Sequence, residues 1–443
     1  MRPVLDRQQR LARGILVAGG LFVLLTGVLG AAKPVVLAAD HLGAEFGLSD
    51  FFEEDRPVRF PDRPHADIGD VAPPTQETGR TGSETPAPPP VPPFPQLAQI
   101  SDFERMVEKR PGRTPVEVHG LYLTGYSAGR SGTIDRLLRE LAGTEFNTFV
   151  IDVKNDGGRV SYHSDVTLAK EIGADTNWID DPRALLTKLR SEGIHTIARI
   201  VVFKDPILAR KRPDLAIHDL SGNPWRDRTG AAWLNPYNRG NWEYVVALAV
   251  EAASLGFDEI QFDYVRFPSD GATSLIAYGD ATGGKADAIA AFLTYSHEKL
   301  KPYDVFLSAD IFGLVGTVTD DMGIGQKLEK ILGTVDYISP MVYPSHYVAR
   351  NYGLADPEAA PYQTVLASLK DYQRRMAAAG SKTGLRPWLQ DFSLRVRYGP
   401  VEVSEQIKAG RDLGVREFIL WNPANVYNLG VFKENWETAG QTR

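Results

Sequence analysis

Eight apolar runs of strand length recur along the last three quarters of this chain, most followed by a segment of helix length, and that alternation most constrains its fold. The runs are His119–Thr124, Thr148–Lys154, Thr196–Phe203, Glu259–Val265, Val305–Ile311, Tyr337–Tyr343, Gly384–Leu389 and Glu417–Trp421. Between them lie amphipathic stretches at Thr133–Leu141, Pro182–Glu192, Trp242–Leu255, Ala286–Leu300, Gln326–Leu332, Tyr362–Ala379 and Val403–Leu413. Strands rich in β-branched residues and separated by helices belong to a parallel sheet. An open doubly wound sheet normally carries a glycine-rich dinucleotide turn after its first strand, and none is present here. The pattern therefore predicts an α/β fold, a closed (β/α)8 TIM barrel over residues 101–443.

The N-terminal part is built differently. Arg2, Arg7, Arg10 and Arg13 precede an uncharged, largely apolar run from Gly14 to Ala32 within the segment 14–33, close to the length a bilayer-spanning helix needs. The basic flank 1–13 places itself in the cytoplasm and the rest of the chain outside. The run reads as a retained single-pass anchor, with a cleaved signal peptide ending near Gly30-Ala31-Ala32 as the alternative. Residues 34–100 include a Pro-, Thr-, Gly-, Ser- and Glu-rich stretch ending in Pro86-Ala87-Pro88-Pro89-Pro90-Val91-Pro92-Pro93-Phe94-Pro95, the composition of an extended spacer.

Composition removes several kinds of chemistry. A net charge of -7 with no basic run disfavours nucleic acid as a partner. The absence of cysteine removes disulfides, thiolate nucleophiles and cysteine-based zinc sites. The eight histidines lack the spacing of a zinc motif, no calcium loop is present, and no metal or other cofactor is implied.

Barrel enzymes place their chemistry at the carboxyl ends of the strands, and there this sequence concentrates acids and aromatics. Asp263 is a lone acid in the apolar fourth strand, which is costly to bury without a partner or a function. Its bland alternative is an ion pair with Arg266 or Arg199. Asp310 stands equivalently on the fifth strand, with capping of the turn at Gly313 as its bland alternative. Paired carboxyl groups flanking a sugar, with rings to pack against it, are what glycosidic bond cleavage requires.

Asp263 and Asp310 are therefore the catalytic candidates. Asp152 and Lys154, two residues apart and so on one strand face, read as a mutually neutralising pair at a sugar hydroxyl. Arg199, Tyr264, Arg266, Tyr343, His346, Trp388, Gln390, Asp391, Trp421 and Asn422 complete the expected substrate-binding set. The segments Lys204–Asn238, Ser269–Gly284 and Ser345–Pro361 are long enough to shape a cleft, with Trp225, Trp233 and Tyr237 facing either sugar or the barrel.

Several motifs carry a family resemblance: G-L-Y-L-T-G-Y at 120–126, F-V-I-D-V-K-N-D-G-G at 149–158, W-L-N-P at 233–236, F-D-Y-V-R-F-P at 262–268, S-A-D-I-F-G at 308–313 and P-M-V-Y-P-S-H-Y at 340–347. Together, in this order, they resemble the bacterial putative glycosyl hydrolase domain family (DUF4015), over roughly Val116 to Trp436. The resemblance implies a TIM barrel distantly similar to retaining α-glycosidases, with the nucleophile at the end of the fourth strand, matched by Asp263. The acid/base of such families lies on the fifth or sixth strand. Asp310 fits the fifth, while the sixth offers Tyr343 and His346 and no carboxylate.

The expectation is an extracytoplasmic hydrolase of a cell-envelope or extracellular polysaccharide. A non-catalytic glycan-binding barrel and an envelope scaffold that recruits a protein are the rivals.

Overall fold

The computed structural model describes residues 113–433 apart from 280 and 282. The basic segment, apolar run and spacer expected over 1–100 lie outside these residues. Among the described residues no helix is long and apolar enough to cross a membrane.

The eight expected strands form one closed parallel barrel. They are β1 His119–Leu123, β2 Thr148–Lys154, β3 His195–Val201, β4 Glu259–Asp263, β5 Phe306–Phe312, β6 Tyr337–Met341, β7 in two pieces at Gly384–Leu385 and Trp388–Gln390, and β8 Phe418–Trp421. Neighbours pair in chain order, β8 returns to β1, and Trp388 of β7 pairs with both Met341 of β6 and Ile419 of β8. The break in β7 falls at Arg386-Pro387, where proline removes a ladder donor.

Seven main helices cover the outside: α1 Ser131–Leu141, α2 Pro182–Ser191, α3 Arg239–Leu255, α4 Lys285–Leu300, α5 Leu328–Ile331, α6 Pro361–Ala378 and α7 Pro400–Asp412. Proline in the first turn of α2, α6 and α7 presets the helical φ where no N–H is needed. Asp181 and Asn238 start α2 and α3 by accepting backbone N–H groups at their N-termini. The expected helix Gln326–Leu332 shrinks to the single turn α5, because the Gln326 side chain bonds the Phe312 N–H and the Asp310 carbonyl instead.

Two apolar cores result. The larger lies between sheet and helices; the smaller fills the barrel with Val118, Tyr122, Val150, Ile197, Trp388 and Ile419. Above the strands' carboxyl ends, the loops after β3 and β4 are joined by a two-stranded antiparallel ribbon, His218–Asp219 against Ile276–Ala277.

The floor of the barrel is polar but fully engaged. Arg386 donates twice to Glu259 at 2.8 and 2.9 Å and once to Glu417 at 2.7 Å, and Ser308 donates to Glu259 at 2.5 Å. Burial alone would raise the Glu259 carboxyl, but Arg386, His195 and Ser308 outweigh it and hold the group down at about 2.

Candidate active site

Alternation along the strands decides which side chains enter the barrel. On β4 it turns Glu259, Gln261 and Asp263 to one face; on β5 it does the same for Ser308, Asp310 and Phe312. The β4–β5 register pairs Gln261 with Ser308 and Phe262 with Ala309, so the next step sets Asp263 level with Asp310 on adjacent strands.

Asp263 is held from two sides. Its Oδ2 accepts Arg199 Nε at 3.0 Å and Nη2 at 2.6 Å, and its Oδ1 accepts the Tyr264 N–H at 2.6 Å. That last bond depends on Tyr264 adopting a left-handed conformation, φ 49°, which also ends β4 two residues before the sequence pattern does. A non-glycine residue there is strained by about 1–3 kcal/mol, and such strain concentrates at functional sites.

Arg199 spans both neighbours. Its Nη1 donates to Asp152 Oδ1 at 2.6 Å, and Tyr122 donates to Asp152 Oδ2 at 2.6 Å. Burial raises Asp152, opposed by Arg199 and the Tyr122 bond. The guanidinium also lies 5.1 Å from the Trp421 ring and 5.5 Å from the Tyr122 ring, which stack on each other at 4.1 Å. The ion pair with Asp263 thus falls to Arg199, not to Arg266.

Asp310 has a different environment. Trp388 Nε1 donates to its Oδ1 at 2.7 Å, while its Oδ2 is buried with no hydrogen-bond partner among the described residues. Burial and the nearby Asp263 charge push its carboxyl well above the ordinary range, against the Trp388 bond and Arg199. A carboxyl so placed favours its protonated form, the form that can donate a proton. Gly313 closes the same strand end: a Cβ there would lie 2.3 Å from the Tyr347 hydroxyl and 2.7 Å from the Met341 carbonyl.

Other expected residues serve the frame. Lys154 does not pair with Asp152; a register irregularity between these two positions of β2 separates them. Fully buried, Lys154 donates to the Val201 carbonyl at 2.7 Å and meets Asp205 at 2.9 Å. Trp388 is also buried, so it holds Asp310 instead of offering a sugar platform. Buried Gln390 accepts the Ser345 N–H and donates to the Phe392 carbonyl, joining the β6 and β7 loops. Asp391 accepts the Asn428 backbone and side-chain N–H groups; burial outweighs these bonds and raises it to about 7. Asn422 bonds the Asp391 and Val426 carbonyls. Trp225 and Trp233 are buried and donate to the Ala272 carbonyl and to Asp227, so they pack the β3 loop.

At the rim, Tyr343, His346 and Phe392 meet edge to face at 5.3–6.1 Å. Half-buried Met341, Leu394 and Trp421 pack against the inner core to which Tyr343, Trp388 and Phe392 belong. Asp263 and Asp310 beneath are 6% and 1% exposed. A cavity of about 530 Å³ lies at the opposite end of the barrel, lined by Glu117, Gln373, Arg416 and Glu417 among others, and contains none of these acids. Among the described residues no cluster of three or more histidines and carboxylates is arranged to hold a metal.

Two positions that sequence reasoning passed over belong to the site. Tyr122 faces inward on β1 and carries the bond to Asp152; its parity with Val118 on an apolar strand was the available signal. Gln326 fixes the backbone of Asp310 and Phe312 from a loop and left no signal in the periodicity.

A closed (β/α)8 barrel thus gathers carboxyl groups at its strand ends, the face on which such barrels build their sites. The chain belongs to the family described as "Putative glycosyl hydrolase domain" (DUF4015), whose model matches residues 120–427. Comparison with curated proteins gives no match. Among solved structures, the glycoside hydrolase domain of PgaB (BpsB) from Bordetella bronchiseptica shares the fold, with TM-score 0.51 and 13% identity over 70% of this chain and 95% of that one. A hypothetical protein from Ruminiclostridium thermocellum is 37% identical over 46% of this chain and 98% of its own, with TM-score 0.41. The α-galactosidase of Thermus thermophilus, in complex with stachyose, aligns over 76% of this chain and 69% of its own, at 17% identity and TM-score 0.46.

Proposed function

We propose that this chain is an extracytoplasmic glycoside hydrolase that cleaves glycosidic bonds in a cell-envelope or extracellular polysaccharide, tethered or exported by the apolar run at 14–33. One observation carries the reading. Asp310 is a buried carboxyl with one oxygen unpartnered among the described residues, beside an Asp263 whose charge is met by Arg199 and a backbone N–H.

In this reading Asp310 gives its proton to the glycosidic oxygen as that bond breaks, and Asp263 adds to the anomeric carbon. Asp310, now a carboxylate, takes a proton from water as the water displaces Asp263, restoring both groups. Level positions on adjacent strands, about 4.8 Å apart, favour the short carboxyl spacing of roughly 5–5.5 Å that accompanies retention of configuration.

The test is turnover on a panel of bacterial polysaccharides with wild type, Asp263→Asn and Asp310→Asn. Loss of turnover with retained glycan binding in both variants is the expected result. No turnover by wild type on any envelope glycan would sink the hydrolase reading. The deep burial of both acids beneath the aromatic rim favours a second reading, a barrel that binds glycan without cleaving it, and the same panel separates the two.

A further inference from the structure

Arg266 stands apart from every other deeply buried Lys or Arg of the described residues. Lys154 meets Asp205, Arg199 meets Asp152 and Asp263, Lys204 meets Asp156, Arg375 meets Glu329 and Arg386 meets Glu259 and Glu417. Arg266 is 6% exposed, yet no carboxylate lies within ion-pair reach of it among the described residues. Its side-chain hydrogen bonds there both run from Nη1, to the Phe267 carbonyl and the Ser269 hydroxyl at 3.2 Å.

Three rings surround the guanidinium instead, with centroids 4.9 Å away for Trp233, 5.0 Å for Tyr264 and 4.7 Å for Phe312. Aromatic faces attract a cation and strip it of water, but they supply no opposite charge. A desolvated cation without a counter-ion is costly to keep. The cage also has a definite place. Phe312 follows Asp310 by two residues on the same face of β5, one layer further out, and Tyr264 directly follows Asp263. The guanidinium therefore stands at the mouth, beside the ends of both strands that carry the acids.

We infer that Arg266 is an anion-recognition residue, and that the glycan read at this mouth carries an oxyanion on its sugar, a ring carboxylate as in a uronic acid. A planar guanidinium with donors left over matches a carboxylate edge to edge. The inference rests on the glycan-binding part of the reading above and does not require turnover.

The experiment is an NMR-detected titration of the full chain with D-glucuronate and D-galacturonate against D-glucose and D-galactose, repeated with galactose 6-sulfate. Wild type is expected to bind at least one uronate about tenfold or more tighter than its neutral parent, a preference that shrinks as salt rises. Arg266→Gln should bring the ratio close to one, and Arg266→Lys should keep part of it. Tight binding of the sulfated sugar as well supports oxyanion recognition and widens the substituent; a response to the uronates alone narrows it to carboxylate. Equal affinity for charged and neutral sugars in wild type, or an undiminished preference in Arg266→Gln, overturns the inference and leaves Arg266 as aromatic packing. The wild-type comparison stands even where a variant fails to fold. Because the readout is binding, its failure differs from absence of turnover on the polysaccharide panel.

Discussion

Both ends of this barrel hold buried charges, and they treat them oppositely. At the floor, Arg386 satisfies Glu259 and Glu417 together, and Ser308 adds a further bond to Glu259. At the mouth, Arg199 satisfies Asp152 and Asp263, but among the described residues Asp310 keeps an unpartnered oxygen and Arg266 lacks a carboxylate. Closed networks buy rigidity, whereas open ones leave groups ready for an incoming molecule. The comparison teaches that burial alone does not distinguish the two ends; how completely the buried charges are paired does.

The sharpest way to break the contrast is to exchange charge for neutrality at each end. Asp310→Asn should lower turnover about 10²–10⁴-fold while chemical denaturation shows stability held or raised, since a buried carboxyl is replaced by a neutral amide. Arg386→Met should do the reverse and cost about 3–5 kcal/mol by stranding Glu259. A denaturation midpoint for Arg386→Met equal to wild type would show that the floor is not the tighter end.

Acid should expose the floor next. Glu259 is held at about 2 in the fold, below the ordinary carboxylate value of about 4.3. Its stabilisation is therefore complete above that ordinary value and is lost as pH falls through about 2. Stability measured from pH 5 down to pH 2 should fall less steeply in Glu259→Gln than in wild type.

At the mouth, Trp388→Phe removes a bond that favours the charged form of Asp310. The alkaline limb of the turnover profile should move to higher pH. An unmoved limb would detach Trp388 from the proton donor. The smallest effect belongs to Asp391, raised to about 7 by burial. Its protonated form is favoured in the fold, so its contribution is full below the ordinary carboxylate range and fades as pH rises through about 7. Asp391→Asn should narrow the melting-temperature difference between pH 5 and pH 8 by about 2–4 °C.

Strand order and the inward faces of β4 and β5 were legible because periodicity two reports which side chains share a face. Asp263 and Asp310 followed from that. The partner of each side chain was not legible, because periodicity says nothing about which strand end a long side chain reaches. Lys154 shared parity with Asp152, yet an irregular register took it to Asp205. Arg386 lay beside a proline within an expected strand, and nothing local tied it to Glu259 across the barrel. Trp388 and Gln390 were legible as strand-end residues but not as supports, since an indole or amide serves a ligand and a neighbouring chain equally well.

The ribbon between the β3 and β4 loops has a mechanical consequence. His218–Asp219 and Ile276–Ala277 pair, and the Leu220 N–H continues the link to the Leu275 carbonyl at 3.0 Å. Two excursions far apart in sequence are thus tied together at this point, so a displacement of either is carried to the other. Amide exchange at Leu220 would serve as a gauge of that tie.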